Sequence, residues 1–218
     1  MSAVETNPSL FVKSFPVGPI SCNCTILGDP VSKRAIVVDP GGDAGLILET
    51  LKKNDFSVIQ IIHTHAHLDH FLASGEMKKV TGAPLAVHQA DKFLWENLES
   101  QCKRFGIPYN PVPAPDHWLE HEEELEINQF RGKAVHTPGH TPGSMSFSFE
   151  EQKLLIAGDT LFQGSIGRTD LPGGDFQTIA ESIKNQLYTL DEDTHVITGH
   201  GPPTTIGNEM RYNPFVQL

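Results

Sequence analysis

His63-Thr64-His65-Ala66-His67-Leu68-Asp69-His70 sets four metal-ligating side chains, His65, His67, Asp69 and His70, within six positions of a 218-residue chain. The apolar run just before it, residues 57–62, reads as a buried strand, so His65 and His67 leave its end in extended chain with their side chains on one side at i and i+2. Both reach one ion. Asp69 and His70 follow as the chain turns into a helix with Phe71, Leu72, Met77 and Val80 inward, and they leave along a different vector that suits a second ion nearby. Imidazole and carboxylate donors without thiolate favour zinc, manganese or iron in an open, catalytic setting over a closed structural zinc site. A lone histidine is ordinarily a packed or solvated side chain, but four ligand types at this spacing have no such ordinary explanation.

Around this stretch, 38% hydrophobic content is enough for one substantial core, and the expectation is a single domain over residues 1–218. A net charge of −11 excludes a nucleic-acid backbone or an anionic membrane as the main partner, since both need clustered Lys and Arg. No apolar run approaches the roughly 18 residues of a membrane span, and the first ten residues have no basic-then-apolar leader, so a soluble, cytoplasmic protein is expected. Cys22, Cys24 and Cys102 are odd in number and badly spaced for a disulfide; they read as small buried residues, none beside a metal motif.

In chain order, strands are expected at 10–15, 23–27 and 34–38 as a meander. Asp39-Pro40-Gly41-Gly42 then ends a buried strand before a helix over 44–54 with Leu46, Ile47 and Leu51 inward. The glycine pair matches neither dinucleotide- nor triphosphate-binding loops and serves as a strand-to-helix turn. Asp39 is placed to orient a ligand histidine from behind. A strand at 84–88 and a helix over 90–105, with Phe93, Leu94, Leu98 and Cys102 buried, complete the first half. His88 is read as structural. Pro108, Pro111, Pro113 and Pro115 make 107–118 the most loop-like segment, expected to border the substrate entrance, and the acidic run 120–124 is read as a solvated turn.

The second half offers strands at 126–130, 133–136, 144–149 and 153–157, a helix over 175–190 and a strand at 195–198. Three more ligand types stand at strand ends beside glycine: Gly139-His140, Gly158-Asp159-Thr160 and Gly199-His200-Gly201. Such turns let separate strands aim side chains at one point.

Taken together, Thr64-His65-x-His67-x-Asp69-His70, Gly-His140, Gly-Asp159-Thr160 and Gly-His200 resemble the metallo-β-lactamase superfamily over residues 39–201. The resemblance implies an α/β fold, an αββα four-layer sandwich, with a dinuclear site at the sheet edges. By motif position it implies that His65, His67 and His140 hold one metal, Asp69, His70 and His200 the other, and that Asp159 bridges them. Within the superfamily, Gly158-Asp159-Thr160-Leu161-Phe162 and Ser165-Ile166-Gly167-Arg168-Thr169-Asp170 are most similar to the glyoxalase II (hydroxyacylglutathione hydrolase) group, whose members use a basic residue at the Arg168 position for the glutathione carboxylate. This chain departs from that group at Asp170, where an aromatic residue is usual, and residues 201–218 leave no room for the group's helical C-terminal domain. Gly167-Arg168-Thr169-Asp170 also resembles the persulfide dioxygenases, which use one iron.

The cofactors implied are two divalent metal ions, zinc first with iron or manganese as alternatives, and the partner is a small-molecule thioester, such as a glutathione conjugate. Two ions sharing a water lower its pKa from about 15.7 toward neutrality, so no side-chain nucleophile is required. Asp69 is the candidate to orient the resulting hydroxide. Arg168 is a candidate anion clamp, with an ion pair to Asp170 or Asp175 as its alternative role. A mononuclear iron persulfide dioxygenase and a lactone or ester hydrolase are the competing activities.

Overall fold

A computed structural model describes residues 9–217. The first half runs β1 (Phe11–Val17), β2 (Cys22–Gly28), β3 (Arg34–Val38), α1 (Ala44–Lys53), β4 (Ser57–Ile62), α2 (Leu68–Phe71), α3 (Ser74–Thr81), β5 (Leu85–His88), α4 (Lys92–Glu96), α5 (Leu98–Phe105) and β6 (His117–Leu119). The second runs β7 (Glu123–Ile127), β8 (Phe130–His136), β9 (Met145–Phe149), β10 (Leu154–Gly158), β11 (Leu161–Phe162), β12 (Ser165–Ile166), α6 (Phe176–Ser182), β13 (His195–Thr198), β14 (Thr204–Thr205) and α7 (Ile206–Tyr212).

Two six-stranded sheets follow, ordered β1-β2-β3-β4-β5-β6 and β14-β13-β10-β9-β8-β7. Inner strands such as β3 and β10 are apolar on both faces because both faces are covered, whereas β7 and β8 alternate buried and exposed residues. In β3, Ile36 and Val38 join Ile62 of β4 and Phe147, Phe149 and Ile156 of the other sheet in the core between the sheets. The alternate residues Ala35 and Val37 face α1, α3 and α5 through Ile47, Leu51, Met77 and Cys102. On the far side, Leu155 and Ala157 of β10 pack on Ile179, Ile183 and Ile206. The layers are therefore helix, sheet, sheet, helix, the four-layer α/β sandwich expected. No helix of the described residues is long and apolar enough to cross a membrane.

Several local expectations need correction. Pro16 lies within β1 rather than in the turn after it, which an edge strand tolerates because its outer N–H positions need no partner. Leu46, Val80 and Phe93, expected inward, are 46%, 61% and 40% exposed. The helix expected over 90–105 is a 3₁₀ turn, Gln89–Asp91, followed by α4 and α5, broken at Asn97. The strand expected over 126–130 spans a hairpin turn instead: β7 ends at Ile127 and β8 begins at Phe130, with Asn128 at φ 57 between them. The acidic run is partly strand, since Glu123 and Glu124 belong to β7.

His63, at the end of β4, faces the core instead of the site. Its Nδ1 donates to the Ala86 carbonyl at 2.8 Å and its Nε2 accepts from Ser74 Oγ at 2.7 Å, a neutral tautomer. Burial pushes its pKa down to about 4. An unfolded histidine titrates near 6.5, so between about pH 6.5 and 4 the unfolded chain binds more protons, and stability must fall as pH drops through that window. Denaturant unfolding of the metal-free protein should give a lower midpoint at pH 5 than at pH 7, and the difference should shrink in His63→Gln. A variant with an undiminished pH difference would contradict this assignment.

Candidate metal centre

The seven ligand-type residues lie at strand ends on one edge of the sandwich. His65 and His67 follow β4 in extended chain, Asp69 and His70 form the first turn of α2, His140 lies in the β8–β9 loop, Asp159 stands directly after β10 and His200 follows the end of β13 after one residue, Gly199. Backbone hydrogen bonds stitch these loops together: Met145 N to Thr64 O at 2.7 Å, Gly199 N to Gly158 O at 2.8 Å and Asn23 N to Gly199 O at 2.8 Å.

The side chains form two groups around a shared carboxylate. His65, His67 and His140 offer mutually close ligand atoms, with His140 Nε2 lying 3.2 Å from His65 Nε2 and 2.9 Å from His67 Nδ1. Asp69, His70 and His200 make the second group, with His200 Nε2 at 3.2 Å and His70 Nε2 at 3.8 Å from Asp69 Oδ2. Asp159 lies between them: Oδ2 is 3.6 Å from His140 Nε2, while Oδ1 is 3.5 Å from His70 Nε2 and 3.8 Å from His200 Nε2.

The outer ring nitrogens fix which inner ones carry lone pairs. Nδ1 of His140 donates to the Arg168 carbonyl at 2.8 Å, and Nδ1 of His200 to the Ser21 carbonyl at 3.3 Å. Nδ1 of His70 donates to Asp39 Oδ2 at 2.9 Å, and Nδ1 of His65 lies 3.1 Å from Thr64 Oγ1. In the neutral imidazole each Nε2 is thus the acceptor aimed inward, the arrangement of metal-ligating histidines whose far nitrogen is held by an oxygen.

Electrostatics distinguish the groups. Burial, reinforced by neighbouring imidazoles, lowers the pKa of His65 and takes His67 down to about 3, so both are neutral. Burial also opposes protonation of His70 and His200, but the carboxylates of Asp159, Asp39 and Asp69 outweigh it at His70, and Asp69 and Asp159 do so at His200; both are raised. Burial works against ionising Asp69, yet His70 and His200 hold its carboxyl below the usual range. His70 Nε2 and Asp159 Oδ1 are buried without a hydrogen-bond partner. Inward lone pairs, excess carboxylate charge and orphaned ligand atoms all fit divalent cations in these groups.

Asp39 takes the orienting position expected of it and does more. Besides accepting from His70, its carboxylate accepts from Thr64 N at 2.7 Å and Thr64 Oγ1 at 2.6 Å, so it steadies His65 through Thr64 as well. It does so from a left-handed backbone, φ 50. Gly199 matters for space rather than φ, because a Cβ there would sit 1.9 Å from Asp159 Oδ1. Gln101 of α5 accepts from Leu68 N at 2.9 Å and donates to Ala66 O at 3.1 Å, clasping the ligand turn. Asp91, which the sequence reading did not single out, is fully buried against two ligand loops. Neither could be found from spacing, since the ligand-loop groups they hold lie at least 25 residues away.

Three other expectations meet the structure here. Cys22 is remote from the metal motifs in sequence but its Sγ lies 3.4 Å from His70 Nδ1. Burial raises its thiol to about 12, so it packs beside the site as a neutral group. The Arg168 guanidinium is exposed and pairs with Asp170 through Nε and Nη2, both at 2.7 Å, while Asp175 caps α6 through Thr178 N. The Pro-rich segment is tied to the outer helices: Trp95 Nε1 donates to Pro113 O at 3.0 Å, and Ile107, Val112 and Trp118 pack on the first core.

Comparison with known proteins agrees with this geometry. The model of the metallo-beta-lactamase superfamily matches residues 17–200. Hydroxyacylglutathione hydrolase GloC of Haemophilus influenzae is 40% identical over 207 residues, 94% of this chain and 97% of that protein. Among solved structures, BLEG-1 B3 metallo-beta-lactamase superposes with a TM-score of 0.88 at 39% identity, covering 94% of this chain and 99% of the other. TTHA1623 in a di-iron-bound form superposes at 0.85 with 31% identity, covering 97% and 100%. With a family match over most of its length and a 40% identical relative covered almost end to end, the chain belongs to the metallo-beta-lactamase superfamily.

Proposed function

We propose that this chain is a metal-dependent hydrolase that holds two divalent ions, zinc first among the candidates, and opens a small thioester such as S-lactoylglutathione. The observation that carries the reading is the position of Asp159, whose two oxygens face the two ligand groups separately. The 40% identity to a hydroxyacylglutathione hydrolase supports the substrate class.

His65, His67 and His140 would hold one ion and Asp69, His70 and His200 the other, with Asp159 shared. Bound there, the ions supply Lewis acidity and bring the pKa of a water down from about 15.7 toward neutrality. Asp69, kept ionised, accepts a hydrogen bond from the attacking oxygen and orients it. Asp39 and the Arg168 carbonyl keep the imidazoles in the required tautomers. A thiolate leaves without needing a proton, so a thioester asks least of a site whose side chains are committed as ligands or to holding ligands. The Arg168 fork suits a substrate carboxylate, which would exchange with Asp170 in an exposed pair of low cost.

The metal-loaded protein should be assayed on S-lactoylglutathione, a lactone and a β-lactam, the last because of the likeness to BLEG-1. The iron-loaded protein should be assayed for O₂ uptake with glutathione persulfide. Thioester turnover with kcat/KM above about 10⁴ M⁻¹ s⁻¹ is expected. O₂ uptake without thioester turnover would replace this reading with a persulfide dioxygenase. Arg168→Ala should raise KM about tenfold with kcat nearly unchanged, the pattern of lost uniform binding. A fall in kcat at constant KM would remove Arg168 from the carboxylate-binding role.

A further inference from the structure

Asp91 follows β5 in the 3₁₀ turn Gln89–Asp91 and is fully buried. Its Oδ2 accepts from Ala66 N at 2.9 Å and Thr141 Oγ1 at 2.8 Å, and its Oδ1 from Gly143 N at 2.7 Å. Ala66 separates His65 from His67, and Thr141 follows His140. One carboxylate therefore grips the backbone between two members of the first ligand group and the loop that supplies the third. Those loops come from different halves of the chain. The fit is close, because a Cβ on Gly143 would lie 2.6 Å from Asp91 Cγ. Asp39 holds His70 of the second group directly and reaches the first group only through Thr64, whereas Asp91 makes no hydrogen bond to Asp69, His70 or His200.

We infer that Asp91 is a positioning residue for the first metal set, fixing His65 and His67 relative to His140 by tying together the two loops that carry them. The inference rests on the metal-centre reading above. A carboxylate is needed because it accepts all three donors at once, whereas an amide of the same shape must turn its NH₂ toward one of them. Burial of a group this size would be served equally well by asparagine, so the Asp-to-Asn difference isolates the hydrogen bonding. Partners behind metal ligands are ordinarily worth about 10- to 100-fold in metal affinity.

The test is Zn²⁺ titration of Asp91→Asn in competition with a chromophoric chelator, in two backgrounds. His200→Ala leaves the first set intact, and there Asp91→Asn should weaken Zn²⁺ binding about 10- to 100-fold. His140→Ala breaks the first set, and there Asp91→Asn should change the remaining affinity less than about threefold. Unchanged affinity in the His200→Ala background, or equal losses in both, overturns the inference. Should Asp91→Asn fail to fold, Thr141→Val removes one donor and must give a smaller loss confined to the His200→Ala background; no loss there overturns the inference too. A wild-type protein that binds no Zn²⁺ overturns the underlying metal reading, which separates the two failures.

Discussion

Asp159→Ala is expected to empty both metal sets at once and to lower kcat/KM at least about a thousandfold, roughly 4 kcal/mol of transition-state stabilisation. The reason is positional: Oδ2 faces His140 and Oδ1 faces His70 and His200, so no other side chain replaces it in either group. His200→Ala provides the contrast. His200 belongs to the Asp69, His70 group alone, so its loss should leave one tightly held ion per chain. Elemental analysis of the dialysed variants checks both, and equal metal loss in the two would contradict the shared role of Asp159.

Asp39→Ala should have the next largest effect, because it strands three donors in the interior. Thr64 N, Thr64 Oγ1 and His70 Nδ1 would all lose their acceptor. Leaving such a network unpaired costs on the order of 3 kcal/mol of stability, and the freed imidazoles should reduce metal affinity about 100-fold. Asp39→Asn keeps one acceptor oxygen and should recover part of both losses. Denaturant unfolding and metal competition measure the two separately. An Asp39→Ala protein with wild-type metal affinity would show that His65 and His70 orient themselves.

The features legible in the sequence were those whose cause is local. Strands β3 and β4 begin and end where expected because each holds four apolar residues bounded by polar ones, buried throughout β3 after Arg34 and at the Ile61–Ile62 end of β4. The seven ligand types stood out by residue type, short spacing and adjacent glycine. What stayed hidden depends on distant partners. Gln101 of α5 clasps the ligand turn 33 residues earlier, a contact no local pattern announces. Asp91 was not singled out, because the groups it holds lie 25 to 52 residues away. The hairpin β11–β12 has only two residues per strand, too few for any period to register. It is held by α7 and its C-cap: buried Glu209 accepts from Gly164 N at 2.8 Å and Asn213, just after the helix, donates to Ser165 O at 3.0 Å, so the loop carrying Arg168 depends on a helix about 45 residues later in the chain.

The measurement closest to the central claim is the metal content of the protein, prepared with excess divalent metal and dialysed exhaustively. Two ligand groups sharing Asp159 predict two equivalents of divalent ion per chain. Fewer than one equivalent under those conditions would contradict the dinuclear centre.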